Sequence, residues 1–336
     1  MTDRQTSIGV FLDRHGWGAA ARRPLANDAS FRRYERLQRE GDRALLMDAP
    51  PPREDVRPFM TVAALLHRLG LSAPAVHAAD VEAGLLLLED LGDETYTRVL
   101  GQGGDEAALY ALAVDVLIAL HERFDTAAAD VPTYDDTRLL DEAALLVDWY
   151  LPAVRGADVT PATRAEYLDL WRDAFAIARA APPTLVLRDY HVDNLMHLSE
   201  RSGVQACGLL DFQDAVIGPR SYDLVSLLED ARRDVPAALA RRMLTRYLDA
   251  FPALDRDAFM ASYAVLGAQR SAKILGIFTR LDRRDGKPVY LEHIPRVWRW
   301  LEQDLGHPSL AAVKAWFDRE APAGTRLTPP PGERAS

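Results

Sequence analysis

Apolar residues recur at two different spacings along the chain, and the change between them falls near Gly92. Before that point, four short segments carry the runs or alternations of apolar residues that are typical of strands. Segments 8–14 and 56–69 instead show apolar residues at helical spacing. The predicted strands cover residues 31–37, 44–47, 75–79 and 85–89. Strands with one helix between them are typical of an α+β unit built on an antiparallel sheet.

After Gly92 the spacing is mostly helical, apart from short apolar runs near residues 185–187, 195–196 and 207–210 that indicate buried strands. The predicted helices cover residues 105–124, 139–149, 161–180, 236–251, 256–281 and 294–301. The pattern therefore predicts an α+β protein with a small N-terminal sheet domain, a large helical domain and a tail. We place these regions at residues 1–91, 92–320 and 321–336, and expect the Pro-rich tail to be solvated and disordered. A cleft between the two domains is a usual place for a ligand.

Polar residues stand in a fixed order around these short strands. Asp189 lies two residues after the first apolar run, Asn194 follows five residues later, and Asp211 directly follows the last run. Phosphoryl transfer from ATP needs one carboxylate that accepts the proton of the attacking hydroxyl, and an amide and a second carboxylate that hold Mg²⁺. The order predicts Asp189 as the base, Asn194 and Asp211 as metal ligands, and ATP and Mg²⁺ as cofactors. Asp214 could help to hold the metal or stabilise its loop.

Composition narrows the class of protein. A chain of 336 residues with 48% hydrophobic and 27% charged residues is long enough for two domains and typical of a soluble globular protein. A formal charge of −10 argues against a nucleic-acid partner. The apolar runs are too short to cross a membrane, the N-terminus lacks a signal-peptide core, and the single cysteine, Cys207, fits a reducing compartment. We therefore expect a cytoplasmic protein with no membrane partner.

The layout and motifs resemble the aminoglycoside phosphotransferase-like kinases, which are relatives of protein kinases that phosphorylate small molecules. Within that group, segments 28–34, 47–51, 209–219 and 269–287 resemble the anomeric sugar kinases of cell-wall recycling. The resemblance implies a protein-kinase-like bilobal fold and an ATP-dependent kinase of N-acetylmuramate or N-acetylglucosamine that forms the α-1-phosphate. It also implies that Asp223 has a structural role, accepting hydrogen bonds from backbone amides of the catalytic loop.

The resemblance places the nucleotide near two segments of the N-terminal domain. Ser30 and Phe31 lie at the turn that covers the phosphates, and Glu89 to Leu91 lie where backbone groups meet the adenine. Protein kinases carry a phosphate-binding lysine on the third strand, but here Met47 occupies that position and no lysine precedes Lys273.

Two arginines of the first strand could replace the missing lysine. Side chains alternate along a strand, so Arg32 and Arg33 face opposite ways and only one can point to the phosphates. The sequence leaves open which one does. The motif also departs from the family at Leu187, where a histidine is usual.

The expected acceptor is a small sugar, and its charge guides the choice of residues. N-acetylmuramate carries a carboxylate and favours a cationic site, and Arg270 and Lys273 share one helix face. Tyr134 and Asp135 could stack on a sugar ring or hydrogen-bond to it.

Other acceptors remain open: an aminoglycoside, choline or homoserine would keep the same chemistry. A non-catalytic nucleotide-binding protein is a further alternative, because the phosphate-binding lysine is missing.

Overall fold

The computed structural model describes residues 4–25, 31–128 and 130–332, and the chain divides into two compact units. Unit 1 comprises Met1–Arg123, Ala128–Val131 and Val192–Ala215, and unit 2 comprises Phe124–Ala127, Pro132–His191 and Val216–Ser336.

The strands in chain order are β1 (Ala21–Pro24), β2 (Arg33–Arg39), β3 (Asp42–Asp48), β4 (Val76–Asp80), β5 (Leu85–Glu89), β6 (Pro183–Val186), β7 (Leu195–His197), β8 (Cys207–Leu209) and β9 (Val216–Pro219). The α-helices are α1 (Arg4–Arg14), α2 (Arg57–Arg68), α3 (Tyr96–Gly101), α4 (Glu106–Arg123), α5 (Asp136–Leu145), α6 (Leu151–Arg155), α7 (Pro161–Ala178), α8 (Tyr222–Leu228), α9 (Ala237–Ala250), α10 (Arg256–Asp285), α11 (Ile294–Leu305) and α12 (Ala311–Glu320). A π-helical turn, Leu146–Tyr150, joins α5 to α6, and short 3₁₀ turns occur at Thr126–Ala128, Val192–Asn194, Gly203–Ala206, Pro288–His293, Pro308–Leu310 and Ala323–Thr325.

Unit 1 is built on an antiparallel sheet with the strand order β1-β2-β3-β5-β4. The four predicted strands are present, and β1 is an addition, because its exposed sequence Ala-Arg-Arg-Pro carries no apolar signal. The apolar side of α1 packs with the sheet through Ile8, Phe11 and Leu12, which cluster with Leu46 and Leu87. This contact buries the helix face that the sequence pattern predicts.

The boundary between the units differs from the predicted one at residue 91. Helices α3 and α4 belong to unit 1, and so does the β7–β8 hairpin. The hairpin is tied there by backbone bonds, because Leu209 N donates to Ser72 O (2.8 Å) and His197 N donates to Glu94 O (2.7 Å). Hydrogen bonds between residues more than 100 positions apart leave no trace in local sequence spacing.

Unit 2 is mainly helical and is organised around α10, which packs with α5, α7, α8 and α11. Of the 30 residues of this helix, 21 are buried, so it is a core helix rather than an amphipathic surface helix. It ends at Gly286, whose φ of 65° supplies the left-handed cap. Among the described residues, no helix is both long and apolar enough to cross a membrane.

Within the region predicted to be a solvated tail, residues 327, 330 and 332 make backbone hydrogen bonds to side chains of unit 2. Tyr150 donates a hydrogen bond to Leu327 O (2.6 Å), and Arg283 donates to Pro330 O (2.8 Å). The backbone N–H of Gly332 donates to Asp282 Oδ2 (2.8 Å). Composition predicted disorder here, but the side chains of unit 2 provide specific hydrogen bonds to this backbone.

Gly276 gives a test of the packing around α10. A Cβ at this position would lie 2.3 Å from the carbonyl carbon and oxygen of Leu145, so the helices can approach only without a side chain. We expect Gly276→Ala to lower the free energy of unfolding by about 2 kcal/mol or more, since overpacking typically costs 1–3 kcal/mol. Thermal or urea unfolding measures the change.

Gly9 is the matched control, because it lies inside α1 and a Cβ there would meet nothing within 4 Å. Gly9→Ala should raise stability by up to about 1 kcal/mol, the usual helix preference for alanine. Equal effects of the two substitutions would contradict the close contact between α10 and α5.

Candidate active site

The segment before Asp189 is held by a short antiparallel ladder and one buried carboxylate. Strand β6 pairs with β9, with Val186 opposite Val216. The chain then leaves the strand, and the backbone N–H groups of Leu187 and Arg188 donate to Asp223 Oδ2 (2.6 Å) and Oδ1 (2.9 Å). These are the bonds that the family resemblance implies for Asp223. They fix the backbone immediately before the predicted base.

Arg188 has a left-handed backbone, with a φ of 72°, which is uncommon for a residue other than glycine. The conformation costs on the order of 1 kcal/mol and persists only where the surroundings enforce it. Two hydrogen bonds hold Arg188 in this conformation: its backbone N–H donates to Asp223, and its guanidinium donates to Glu142. The next residue, Asp189, is half-buried.

Asp223 lies in the first turn of α8 and is 1% exposed. Burial raises the pKa of its carboxyl group to about 7, while the hydrogen bonds from Leu187 and Arg188 act in the opposite direction. The group is therefore a buried anchor of the loop rather than a solvated charge.

Asn194 and Asp211 are brought to one end of the β7–β8 hairpin in unit 1. Leu195 pairs with Leu209, and Leu210 N donates to Asn194 O at 2.9 Å. Asp211 follows directly, with a φ of 57° and an exposed side chain. The hairpin register thus places the two predicted metal ligands on adjacent chain segments. Asp189, by contrast, belongs to unit 2.

Gln213 connects the two carboxylates of this loop. Its Nε2 donates to Asp211 Oδ1 (2.9 Å) and to Asp214 Oδ2 (3.2 Å). This contact gives Asp214 a place beside Asp211, which suits both roles that the sequence left open for it.

The two candidate arginines of unit 1 have different surroundings. Arg32 is 13% exposed, with its Nη2 3.7 Å from Asp211 Oδ1 and its Nε 3.6 Å from Glu54 Oε2. Within the part of the chain that the structure describes, this buried Nε has no hydrogen-bond partner. Arg33 is exposed and pairs through its backbone with Asp48 of β3. Arg32 alone of the two thus lies beside a predicted metal ligand.

The other residues predicted to bind nucleotide have varied positions. The Phe31 side chain is 58% exposed, and its backbone N–H donates to Glu54 Oε1 (3.1 Å). Ser30 lies outside the described residues. Glu89 is paired with Arg201, which also donates to Ser72 Oγ (2.8 Å).

Leu91 lies in a segment that side chains hold on both sides. Asp90 is bound by Arg36, whose Nη2 donates to Asp90 Oδ1 (3.0 Å) and to Gly92 O (3.1 Å). Leu91 itself packs at Gly208, where a Cβ would lie 3.0 Å from Leu91 Cδ1 and from Met196 Cβ. The arrangement leaves an apolar surface on a fixed backbone.

The residues predicted to bind the acceptor have structural partners within unit 2. Asp135 caps α5 by accepting a hydrogen bond from Arg138 N (2.9 Å). Tyr134 is 3% exposed, and its hydroxyl donates to Glu142. Lys273 is 8% exposed, and its Nζ donates to Glu142 Oε1 (3.0 Å). These contacts favour supporting roles over direct sugar binding, so the sugar contact of these residues stays a prediction.

Arg270 lies against a pair of buried carboxyl groups. Its Nη1 donates to Glu229 O (3.2 Å), and Glu229 and Asp304 are each 4% exposed. The two carboxyl groups are close to each other, because a Cβ on Gly267 would lie 2.3 Å from Asp304 Oδ2 and 3.0 Å from Glu229 Oε2. Two carboxylates cannot donate to each other, so a hydrogen bond between them would require a shared proton. Burial raises the pKa of Glu229 to about 7 and raises that of Asp304 well above its usual range.

Three residues that contact predicted site residues were not themselves predicted from the sequence: Glu54, Glu142 and Arg188. Glu142 meets Lys273 across 131 residues, a distance at which spacing predicts nothing. Glu54 could have been predicted, because a phosphate-binding cation in a kinase-like site usually has a carboxylate partner.

Comparison with known proteins shows the family. Residues 21–259 match the Phosphotransferase enzyme family (APH), which is well over half of the chain. The chain belongs to this family, as the resemblance predicted. It is 41% identical to an N-acetylmuramate/N-acetylglucosamine kinase of Caulobacter vibrioides, over 97% of this chain and 99% of the relative. A protein of the same name from Pseudomonas aeruginosa is also 41% identical, over 89% of each chain.

Solved structures show the fold. The choline kinase LicA from Streptococcus pneumoniae has a TM-score of 0.61 at 12% identity and covers 90% of this chain and 99% of its own. The ADP-bound aminoglycoside phosphotransferase APH(2'')-Ib has a TM-score of 0.56 at 17% identity, covering 87% and 96%. The predicted α+β class with a kinase-like fold is confirmed.

The carboxyl pair beside Arg270 predicts a pH dependence of stability. Because the pKa of Glu229 is raised in the folded state, the stability it contributes is present below its unfolded pKa and is lost as pH rises through about 7. In Asp304→Asn, the amide can donate to Glu229 at every pH. We expect the fall in Tm between pH 5 and pH 8 to be smaller than in the unmodified protein by about 2–4 °C, because this range spans the unfolded and folded pKa values of Glu229.

Asp173→Asn is the control for this measurement, because Asp173 is exposed on α7. Its pH dependence should match that of the unmodified protein. An Asp304→Asn profile parallel to both would contradict the shared proton.

Proposed function

We propose that this protein is an ATP-dependent kinase that phosphorylates the anomeric hydroxyl of N-acetylmuramate, N-acetylglucosamine or both to the α-1-phosphate. The observation that carries the proposal is the 41% identity, over nearly the whole chain, to a kinase named for these two sugars. A kinase of this kind would act in the cytoplasm, in peptidoglycan recycling.

Asp189 is the proposed base. A sugar hydroxyl is a weak nucleophile, and a carboxylate aimed at its proton orients the oxygen and takes the proton during the transfer. The hydrogen bonds from Leu187 and Arg188 to Asp223 support this role, since they hold the backbone that presents Asp189. A base must keep its position within a few tenths of an ångström, and a buried anchor provides that.

Asn194 and Asp211 are the proposed Mg²⁺ ligands, and both lie at one end of the β7–β8 hairpin of unit 1. Their donor set fits the metal, because an amide oxygen and a carboxylate oxygen are hard ligands that leave positions for water and phosphate oxygens. Among the described residues, no group of three or more His, Cys, Asp or Glu side chains is placed to hold a metal. When bound, the metal would neutralise charge on the phosphates.

Arg32 is the proposed replacement for the missing lysine. Its side chain lies beside Asp211 and is held from the other side by Glu54. This arrangement resembles the lysine–glutamate pair of protein kinases, with a cation between a carboxylate partner and the phosphates. Among the described residues the Arg32 Nε makes no hydrogen bond, only the longer ion-pair contact with Glu54, and a phosphate oxygen would satisfy this buried N–H.

The proposed adenine position is the segment of Glu89 and Leu91. Arg36 holds the backbone there through Gly92 O, and Arg201 holds the Glu89 side chain. Leu91, half-buried where it packs at Gly208, would offer apolar surface to a base, and backbone groups of the segment would supply the hydrogen bonds.

Activity on a panel of acceptors tests the proposal. Purified protein with Mg-ATP should release ADP in the presence of N-acetylmuramate or N-acetylglucosamine, and ³¹P NMR should show an anomeric phosphate. Asp189→Asn should lower kcat on the order of 10²- to 10⁴-fold, the usual contribution of general base catalysis, while ATP binding by calorimetry is retained.

The same panel separates the alternatives. Turnover of choline, homoserine or an aminoglycoside in place of the two sugars would keep the kinase and replace its acceptor. ATP binding without turnover of any acceptor would favour a non-catalytic protein. Asp173→Asn, an exposed change of the same type, should leave kcat unaltered.

Arg32 and Arg33 provide a matched pair for the phosphate contact. Arg32→Met should lower kcat/KM for ATP on the order of tenfold to a hundredfold, the worth of one charge-assisted hydrogen bond in a partly buried site. Arg33→Met should change it less than about twofold, as expected for an exposed charge. Steady-state kinetics with ATP varied measures both, and a larger effect at Arg33 would reverse the assignment.

A further inference from the structure

One buried carboxylate in unit 2 gathers four donors from three parts of the chain. Glu142 of α5 accepts hydrogen bonds from the Tyr134 hydroxyl, from Gln269 Nε2 (3.2 Å) and from Lys273 Nζ (3.0 Å). The guanidinium of Arg188 donates to the same carboxylate. The side chain of Glu142 is only 12% exposed. A glutamate with this many partners positions several side chains at once, whereas a surface ion pair joins only two.

The charges of this cluster do not balance within it. Burial by itself raises the pKa of Glu142, but the charges of Lys273 and Arg188 outweigh burial and bring the pKa below its usual value. The pKa of Lys273 is raised and that of Arg188 is raised as well, so both remain cations. Two cations therefore share one anion, which leaves one positive charge in excess.

The excess charge lies next to the proposed base. Arg188 directly precedes Asp189, and the negative charge of Asp189 contributes to the raised pKa of both Arg188 and Lys273. With Asp189 included, the group has two positive and two negative charges. Removal of the Glu142 charge would leave the half-buried Arg188 and the buried Lys273 with Asp189 as the remaining anion of this group.

We propose that Glu142 is a positioning residue for the phosphoryl transfer: by holding the side chains of Arg188 and Lys273, it keeps them from closing on Asp189 and fixes the left-handed backbone from which Asp189 projects. The proposal rests on the role of Asp189 as the base. It assigns a second anchor to the loop, because Asp223 holds the backbone N–H groups of Leu187 and Arg188 while Glu142 holds the Arg188 side chain.

Glu142→Gln tests the proposal, since it removes the charge and keeps the shape. We expect kcat with the preferred sugar to fall on the order of tenfold to a hundredfold, as for breaking a buried charged contact. The KM for ATP should stay within about twofold, because the proposed nucleotide contacts do not involve this cluster. Arg188→Met should resemble Glu142→Gln, whereas Lys273→Met, which leaves the Glu142–Arg188 pair intact, should cost kcat less than either.

The double variant Glu142→Gln/Lys273→Met separates charge from packing. It removes one anion and one cation, so it should recover part of the kcat lost in Glu142→Gln. If Glu142 served only in packing, the losses would instead add. Glu166→Gln, at an exposed pair with Arg319, is the matched control and should retain full activity. Thermal unfolding of each variant reports on folding.

Each outcome bears on the proposal. Unaltered kcat in Glu142→Gln, or losses that add in the double variant, would overturn it. If Glu142→Gln does not fold, the comparison of Arg188→Met with Lys273→Met decides, and equal losses of kcat would overturn the proposal. An unmodified protein that is inactive on every acceptor would remove the proposed function and this inference with it. If the unmodified protein is active and Glu142→Gln is equally active, the proposed function stands and only the inference about Glu142 is overturned.

Discussion

Two hydrogen bonds from consecutive backbone amides to the buried carboxylate of Asp223 are the constraint on which the segment before Asp189, the proposed base, depends. Leu187 and Arg188 leave the β6–β9 ladder at this point, and their N–H groups need new acceptors in a dry environment. Asp223 supplies both acceptors from the first turn of α8 and so determines where the next residue, Asp189, begins. Its raised pKa shows that burial is strong, and the two amide donors partly offset the cost of burying the charge.

Both units use the same means to place polar side chains, namely short two-stranded ladders whose ends carry the proposed site residues. The β7–β8 hairpin places Asn194 beside the start of the Asp211 loop, and β6–β9 precedes Asp189. Short ladders bury few polar groups, and the residues just beyond them are accessible to a ligand. Ion pairs then adjust single side chains, as Glu54 does for Arg32 and Glu142 does for Arg188.

Arginine supplies most of the cations in these ion pairs, since the chain has three lysines and none before Lys273. A guanidinium can keep one partner on each side, which a single ammonium does less well. Arg32 lies between Glu54 and Asp211, and Arg36 bridges Asp90 and Gly92. Loss of the lysine from the third strand therefore does not imply loss of a cation at the phosphates.

Local spacing in the sequence was sufficient for the α+β class, for four of the five strands of the main sheet, and for the order of Asp189, Asn194 and Asp211, because strand and helix periods and turn residues act over a few positions. Long-range contacts decided the rest. The β7–β8 hairpin joined unit 1 through backbone bonds to Ser72 and Glu94, the C-terminal segment bound to Asp282 and Arg283, and Lys273 met Glu142 rather than solvent. These contacts depend on which surfaces meet in three dimensions. Local sequence does not show whether a charged residue, an arginine or a proline is solvated or packed against a buried partner.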